Sequence, residues 1–348
     1  MVKMTNPVWS NEGVLVQDAC DCLLCGRAGA LLYDGLRDRL FGAPGVWSLM
    51  ECRDCGLCWL NPRPLPSEIP KLYSTYYTHA VGYIRPRWKT RIITSVLAAS
   101  YGYPAGGKDR LFGFLLSMLG PVRERAGASV LFLHARDRGK LLDVGCGSGQ
   151  FLAWMNSLGW QGIGLDPDGN AVRIAEDRFG VTAFEGTIEN TCFSENFFDA
   201  LTMHHVIKHI LDPVRALTEC LRVLRPGGKL VIVTPNAESL ASRLMSAAWL
   251  HWDPPRHLFV FSQRALHRLV IRSGFTVRES RTLARGACGT WVASRLLRRH
   301  GVLPAVCSLE GTPLLKLESL LFWLIEYAVG HRLGLGEELL MVATKGGE

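Results

Sequence analysis

The stretch Leu141-Leu142-Asp143-Val144-Gly145-Cys146-Gly147-Ser148-Gly149 constrains this chain more than any other. An apolar strand runs through an aspartate into three glycines at alternate positions, and then into a helix. Glycine adopts left-handed backbone at little cost and lets the chain approach a ligand closely. The dinucleotide fingerprint is Gly-x-Gly-x-x-Gly, whereas the spacing here is Gly-x-Gly-x-Gly with Asp143 just before it. A carboxylate at that point repels a diphosphate and attracts a cationic amino-acid group. Strand, aspartate, glycines and helix together point to a ligand-binding turn, which a glycine cluster alone would not.

From Gly139 onward strands and helices alternate, the pattern of a parallel sheet covered on both faces. The spacing predicts strands at 140–144, 161–166, 181–184, 198–203, 229–234, 275–280 and 338–344. Helices are expected at 148–158, 168–179, 213–224, near 238–250 and after Ser262, a plausible N-cap. Residues 283–332 look helical and are too long for a plain connection, which suggests an insertion or cap. Upstream, Asn61-Pro62-Arg63-Pro64-Leu65-Pro66 is stiff, since each proline fixes its own φ and restrains its predecessor. The expected division is 1–66, 67–138 (helical), 139–282 (core), 283–332 (cap) and 333–348 (last core strand).

Asp166 closes the second strand, where an acid can accept both hydroxyls of a ribose. The lesser reading is a cap for the helix that follows Pro167. Three more segments follow in order: Phe198-Asp199-Ala200-Leu201, His209-Ile210-Leu211-Asp212-Pro213 and Leu224-Arg225-Pro226-Gly227-Gly228-Lys229-Leu230. With these, residues 139–234 resemble the S-adenosylmethionine-binding core of class I methyltransferases. The resemblance implies an α/β fold, a doubly wound seven-stranded Rossmann-like sheet whose last strand is antiparallel. It also implies S-adenosylmethionine as cofactor. Asp143, Gly145, Cys146, Gly147 and Gly149 would line its methionine part, Asp166 its ribose, and Ile188 with Glu189 its adenine. The family often carries Glu where this chain has Lys208. A lysine there argues against the divalent cation that acids hold in quinone-type O-methyltransferases.

Six of the eleven cysteines lie before residue 59. Cys22-Leu23-Leu24-Cys25-Gly26 and Cys52-Arg53-Asp54-Cys55-Gly56 form two knuckles suited to one tetrahedral structural zinc. The gap between them needs a β-hairpin arm. Cys20 and Cys58 are spare ligands, and four unligated buried thiols remain the alternative. These knuckles, the Asn-Pro-Arg-Pro segment, Tyr76-Tyr77 and Trp252-Asp253-Pro254-Pro255-Arg256-His257 resemble a bacterial methyltransferase group with an N-terminal zinc module. Many of its members build polysaccharides or secondary-metabolite sugars.

A hydroxyl acceptor needs a base, and histidine is the natural one near neutral pH. His204 and His205 follow the fourth strand on the side where ligands sit, and His257 follows two prolines in a later loop. Each could instead be a structural histidine bonded to backbone.

Composition narrows the partners. Hydrophobic residues make up 48% and charged residues 20%, which excludes a disordered chain. The net charge is +8, and nine arginines against one acid, Glu279, between Arg264 and His300 account for it. That stretch would serve a phosphate-gripping RNA methyltransferase, but it lacks the interleaved aromatics of a stacking platform. Nucleic acid is therefore disfavoured against a small-molecule or saccharide acceptor, nucleotide- or lipid-linked variants included. A non-catalytic cofactor-binding scaffold and a nicotinamide dehydrogenase are the other readings. The first thirteen residues have no apolar h-region, and the uncharged run 92–107 falls short of the roughly 20 apolar residues a spanning helix needs. A cytoplasmic protein is expected, with peripheral membrane contact open through the apolar helices at 111–119 and 317–329.

Overall fold

The structure, a computed structural model, describes residues 7–73, 87–303 and 312–347. Tyr76 and Tyr77 lie outside the described residues. The chain opens with two small sheets. Strands β1 (Val8–Asn11), β2 (Val14–Gln17) and β6 (Arg63–Pro64) form one. Strands β3 (Ala30–Leu36), β4 (Trp47–Glu51) and β5 (Cys58–Asn61) form the other, and β3 with β4 is the hairpin arm the cysteine spacing requires.

The central sheet holds β7 (Lys140–Val144), β8 (Gln161–Asp166), β9 (Thr182–Glu185), β10 (Phe198–His204) and β11 (Leu224–Pro235). A two-residue strand, β12 (Phe259–Val260), leaves this region and pairs antiparallel with β5, completing the hairpin sheet. The central sheet is then closed by β13 (Phe275–Leu283) and β14 (Glu338–Lys345). Its order is β13-β14-β11-β10-β7-β8-β9, with β7 to β11 parallel and β14 antiparallel to both neighbours. This is the doubly wound seven-stranded sheet, last strand antiparallel, that the family resemblance implies.

Side chains alternate across the sheet, as strand geometry demands. Leu142, Val144, Leu201, Met203, Leu230 and Ile232 join one core, while Leu141, Ala200, Val231, Val233 and Leu340 join the other. The first core runs on without a break into Trp47, Trp59, Cys52 and Cys55, so the cysteine region packs directly against the sheet's helices.

Three elements differ from expectation. Strand β11 begins at Leu224, because Leu224 pairs with Phe198 across an irregularity before the register resumes at Lys229. Strand β13 runs on to Leu283, held by pairing with Glu338 at the start of β14. The helix expected near 238–250 stops at Met245, because Ser246 takes a left-handed φ of 51° and the chain continues in 3-10 turns. Among the described residues no helix is long and apolar enough to cross a membrane.

Candidate active site

The glycine turn sits at the C-terminal end of β7. Gly145, Gly147 and Gly149 have φ of 74°, 51° and 78°, all in the left-handed region that side chains resist. They differ in surroundings. A Cβ on Gly145 would collide with Val206, and one on Gly149 would lie 2.7 Å from both Ala175 and Val181. A Cβ on Gly147 would meet nothing within 4 Å, so this glycine faces open space. Cys146 turns its thiol inward, against Gly164.

Two carboxylates brace the turn. Asp166 accepts the Gly147 amide at 2.8 Å through Oδ2 and the Asp168 amide at 2.9 Å through Oδ1. The helix Gly169–Phe179 is capped by Asp168, whose side chain accepts the Asn170 amide. Asp143 is buried and accepts the Thr202 hydroxyl at 2.6 Å. Burial, with the Asp166 charge nearby, pushes its carboxyl up to about 7. Ile188 and Glu189 begin a 3-10 turn two residues past Gly186, whose amide bonds the Asp166 carbonyl at 3.0 Å. Ile188 is buried and Glu189 is half-buried.

Beside the turn lies a cluster of histidines and acids. His205 has a left-handed φ of 60°, and its Nε2 is 2.9 Å from Glu338 Oε1. Its Nδ1 is buried with no hydrogen-bond partner among the described residues. His204 packs edge-on against His205, and Arg285 lies 3.4 Å from its Nε2. His251 stacks on His205 at 6.1 Å and on His257 at 6.4 Å, making a row of three imidazoles. Burial holds His204, His205, His251 and His257 well below the ordinary histidine range, so all are neutral near pH 7. His257 is turned inward: its Nδ1 bonds the His251 carbonyl at 2.7 Å, and its Nε2 is 3.7 Å from Asp253.

Buried acids surround the row. Glu337 accepts the Trp249 indole N–H at 2.8 Å, and burial pushes it up to about 8. Burial raises Glu326 further, to about 9. His204, His205 and Glu338 could hold a cation, since their ligand atoms lie within 4.8 Å of one another. Lys208, itself buried, and Arg285 both act on His205 as neighbouring positive charges, which opposes a cation there. Glu337, Glu338 and His251 carry no sequence signal. Glu338 and His251 meet His205, and Glu337 meets His251 and Trp249, only through the fold.

Arg256 is buried between Asp38 and Asp253, bonded to both. Burial would raise the Asp38 carboxyl, but the Arg256 fork and the amides of Phe41 and Ala43 hold it below its ordinary range.

The four knuckle cysteines converge. Cys22 Sγ lies 3.5 Å from Cys55 Sγ, Cys25 Sγ lies 3.4 Å from Cys52 Sγ, and all four sulfurs fall within 4.8 Å of one another. A zinc–sulfur bond of ~2.3 Å sets sulfurs at tetrahedron corners about 3.8 Å apart, so the residues fit that ion. Although burial opposes it, amides of Cys55 and Asp54 and the Cys25 thiol bring Cys52 down to about 7. Cys20 is exposed and Cys58 is buried in β5, and neither joins the cluster.

Several side chains of the arginine-rich stretch bond neighbours within the protein while staying exposed. Arg268 pairs with Asp54, Arg272 donates to the carbonyls of Leu23 and Leu24, and Arg295 pairs with Glu318. Arg278 and Arg298 bond Thr344 and the Leu244 carbonyl.

Comparison with known proteins accords with this geometry. Residues 118–280 match the family described as a methyltransferase domain. A ubiquinone biosynthesis O-methyltransferase of Parvibaculum lavamentivorans is 32% identical over 152 residues, 41% of this chain and 60% of that one. The human mitochondrial ubiquinone biosynthesis O-methyltransferase is 33% identical over 117 residues, 30% of this chain and 31% of its own length. The chain thus spans less than two thirds of the curated relatives it matches. Among solved structures, an S-adenosylmethionine-dependent methyltransferase of Thermotoga maritima is 25% identical, covering 64% of this chain and 90% of that one, with a TM-score of 0.41.

Proposed function

From the premise that this chain carries a class I S-adenosylmethionine-dependent methyltransferase domain, we propose that it methylates a hydroxyl oxygen of a small-molecule or saccharide acceptor, with His205 as the base. Gly147 offers open backbone for the methionine part, Asp143 a carboxylate for its ammonium group, and Asp166 an acceptor for ribose. Ile188 and Glu189 flank the adenine position. Bound there, the cofactor would supply an electrophilic methyl group on a sulfonium sulfur, open to in-line displacement by an acceptor oxygen.

The chain's own work is to place the acceptor and take its proton. His205 donates Nε2–H to Glu338, which leaves Nδ1 as the lone-pair nitrogen and Nδ1 without another partner. The acceptor proton would pass to that nitrogen, which the free protein covers, once the arriving acceptor uncovers it. The row through His251 to His257 holds the imidazoles in place, so His257 is a positioning residue in this reading and His204 a neighbour of the base. The observation that carries the proposal is that Val206, the residue after His205, packs on Gly145. Cofactor turn and base are thereby adjacent.

The knuckles Cys22, Cys25, Cys52 and Cys55 would hold a structural zinc, since a closed four-thiolate site leaves no open position for chemistry. The test is transfer of label from methyl-labelled S-adenosylmethionine to a panel of sugars and phenols. Label recovered on an acceptor oxygen supports the reading. Label recovered on carbon or nitrogen would refute it.

A further inference from the structure

Two helices expose an apolar face that no described residue covers. At the first, Gly107–Ser117, Leu111, Phe114, Leu115 and nearby Met118 are each more than half exposed. At the second, Pro313–Ile325, Leu314, Leu317, Leu321 and Ile325 recur three or four apart, forming one stripe, and each is more than half exposed. The C-terminal ends of the two helices come together: a Cβ on Gly120, just past the first helix, would collide with Tyr327 Oη, just past the second. Apolar patches of this kind mark interaction sites rather than ordinary surface.

Charge on these helices sorts by sign. Asp109 pairs with Arg91 at 2.9 Å, Glu318 pairs with Arg295 at 3.0 Å, and Glu326 is buried. The basic groups Lys108, Arg110 and Lys316 are exposed. The surface presented is therefore leucine and phenylalanine with a basic rim.

We propose that this face docks on an anionic lipid surface, apolar side chains among the acyl chains and basic side chains against headgroup phosphates. A two-fold contact between copies would bury the leucines equally well, but it would set the basic rim against itself. An anionic bilayer satisfies both parts of the surface. The inference rests on exposure and charge and goes beyond the methyl-transfer reading.

The test is flotation of the full chain, without cofactor, with vesicles of phosphatidylglycerol and phosphatidylcholine, and with phosphatidylcholine alone. The chain should float with the anionic vesicles, less so at high salt. The variant Leu317→Glu/Leu321→Glu should lose about tenfold or more of that binding. Because both positions are exposed, its circular dichroism and melting should be unchanged. Neutralising Lys108, Arg110 and Lys316 to Ala should weaken binding on the order of fivefold per charge, a second readout in which the apolar face is intact. Absence of flotation overturns the proposal, as does equal flotation of the glutamate variant. A dimer by light scattering that the glutamate variant splits, with no vesicle binding, would assign the face to self-association instead.

Discussion

Arg256 and Asp38, 218 residues apart in sequence, meet as a buried two-pronged ion pair, Nη1 to Oδ2 at 2.7 Å and Nη2 to Oδ1 at 2.8 Å. Asp38 also accepts the amides of Leu40, Phe41 and Ala43, so the pair fastens the loop after β3 to the loop that carries His257. Arg256→Ala strands two carboxylates in the interior and should cost about 3–5 kcal/mol. Arg256→Lys should recover little, because an ammonium cannot reproduce the fork. Urea unfolding checks both. A midpoint equal to that of the parent would show that the pair does not hold the loops together.

Zinc should be present at about one ion per chain when measured by mass spectrometry of metals. Cys52→Ser should lose it, and the knuckles should loosen with it. Cys58→Ala should keep it, because Cys58 is buried in β5 outside the four converging sulfurs. The reverse pattern would reassign the ligands.

On the true acceptor, His205→Ala should lower kcat by about 10²–10⁴-fold while cofactor affinity holds. Glu338→Gln should reduce kcat less and shift the pH profile, since Glu338 acts by orienting the imidazole. Should His257→Ala prove the more damaging with folding and cofactor affinity intact, the base belongs to His257.

Affinity for S-adenosylmethionine should fall as pH drops below about 7. Burial raises Asp143 to about 7 in the free protein, and a cationic ligand prefers the carboxylate. Below that pH binding must expel a proton, so affinity falls by up to about tenfold per pH unit, and above it affinity levels off. Calorimetry in buffers of different ionisation enthalpy reads the proton directly. Pairing Asp143 with a neutral group instead would give a flat profile.

The glycine turn was legible because its chemistry is local: three left-handed positions in five residues have few realisations other than glycine. The knuckles were legible for the same reason, and alternating periodicity marked where the core strands lie along the chain. Other features depend on distant partners. Strand β12 is two residues long, too short to show a period, and exists because β5 offers it an edge. Glu338 meets His205 across 133 residues, and Glu337 meets Trp249 across 88. Pattern placed His257 in a loop beyond the helix that follows β11, where the structure has it. The inward turn of its ring comes from the His251 carbonyl, a contact that spacing does not encode.

The central claim is the cofactor, and calorimetric titration of the zinc-checked chain with S-adenosylmethionine and with NADH tests it most directly. The structure predicts saturable binding of S-adenosylmethionine alone, weakened about tenfold or more in Asp166→Asn, where the ribose acceptor and the brace on Gly147 are both impaired. Binding of NADH in its place, or equal affinity in the variant, would contradict it.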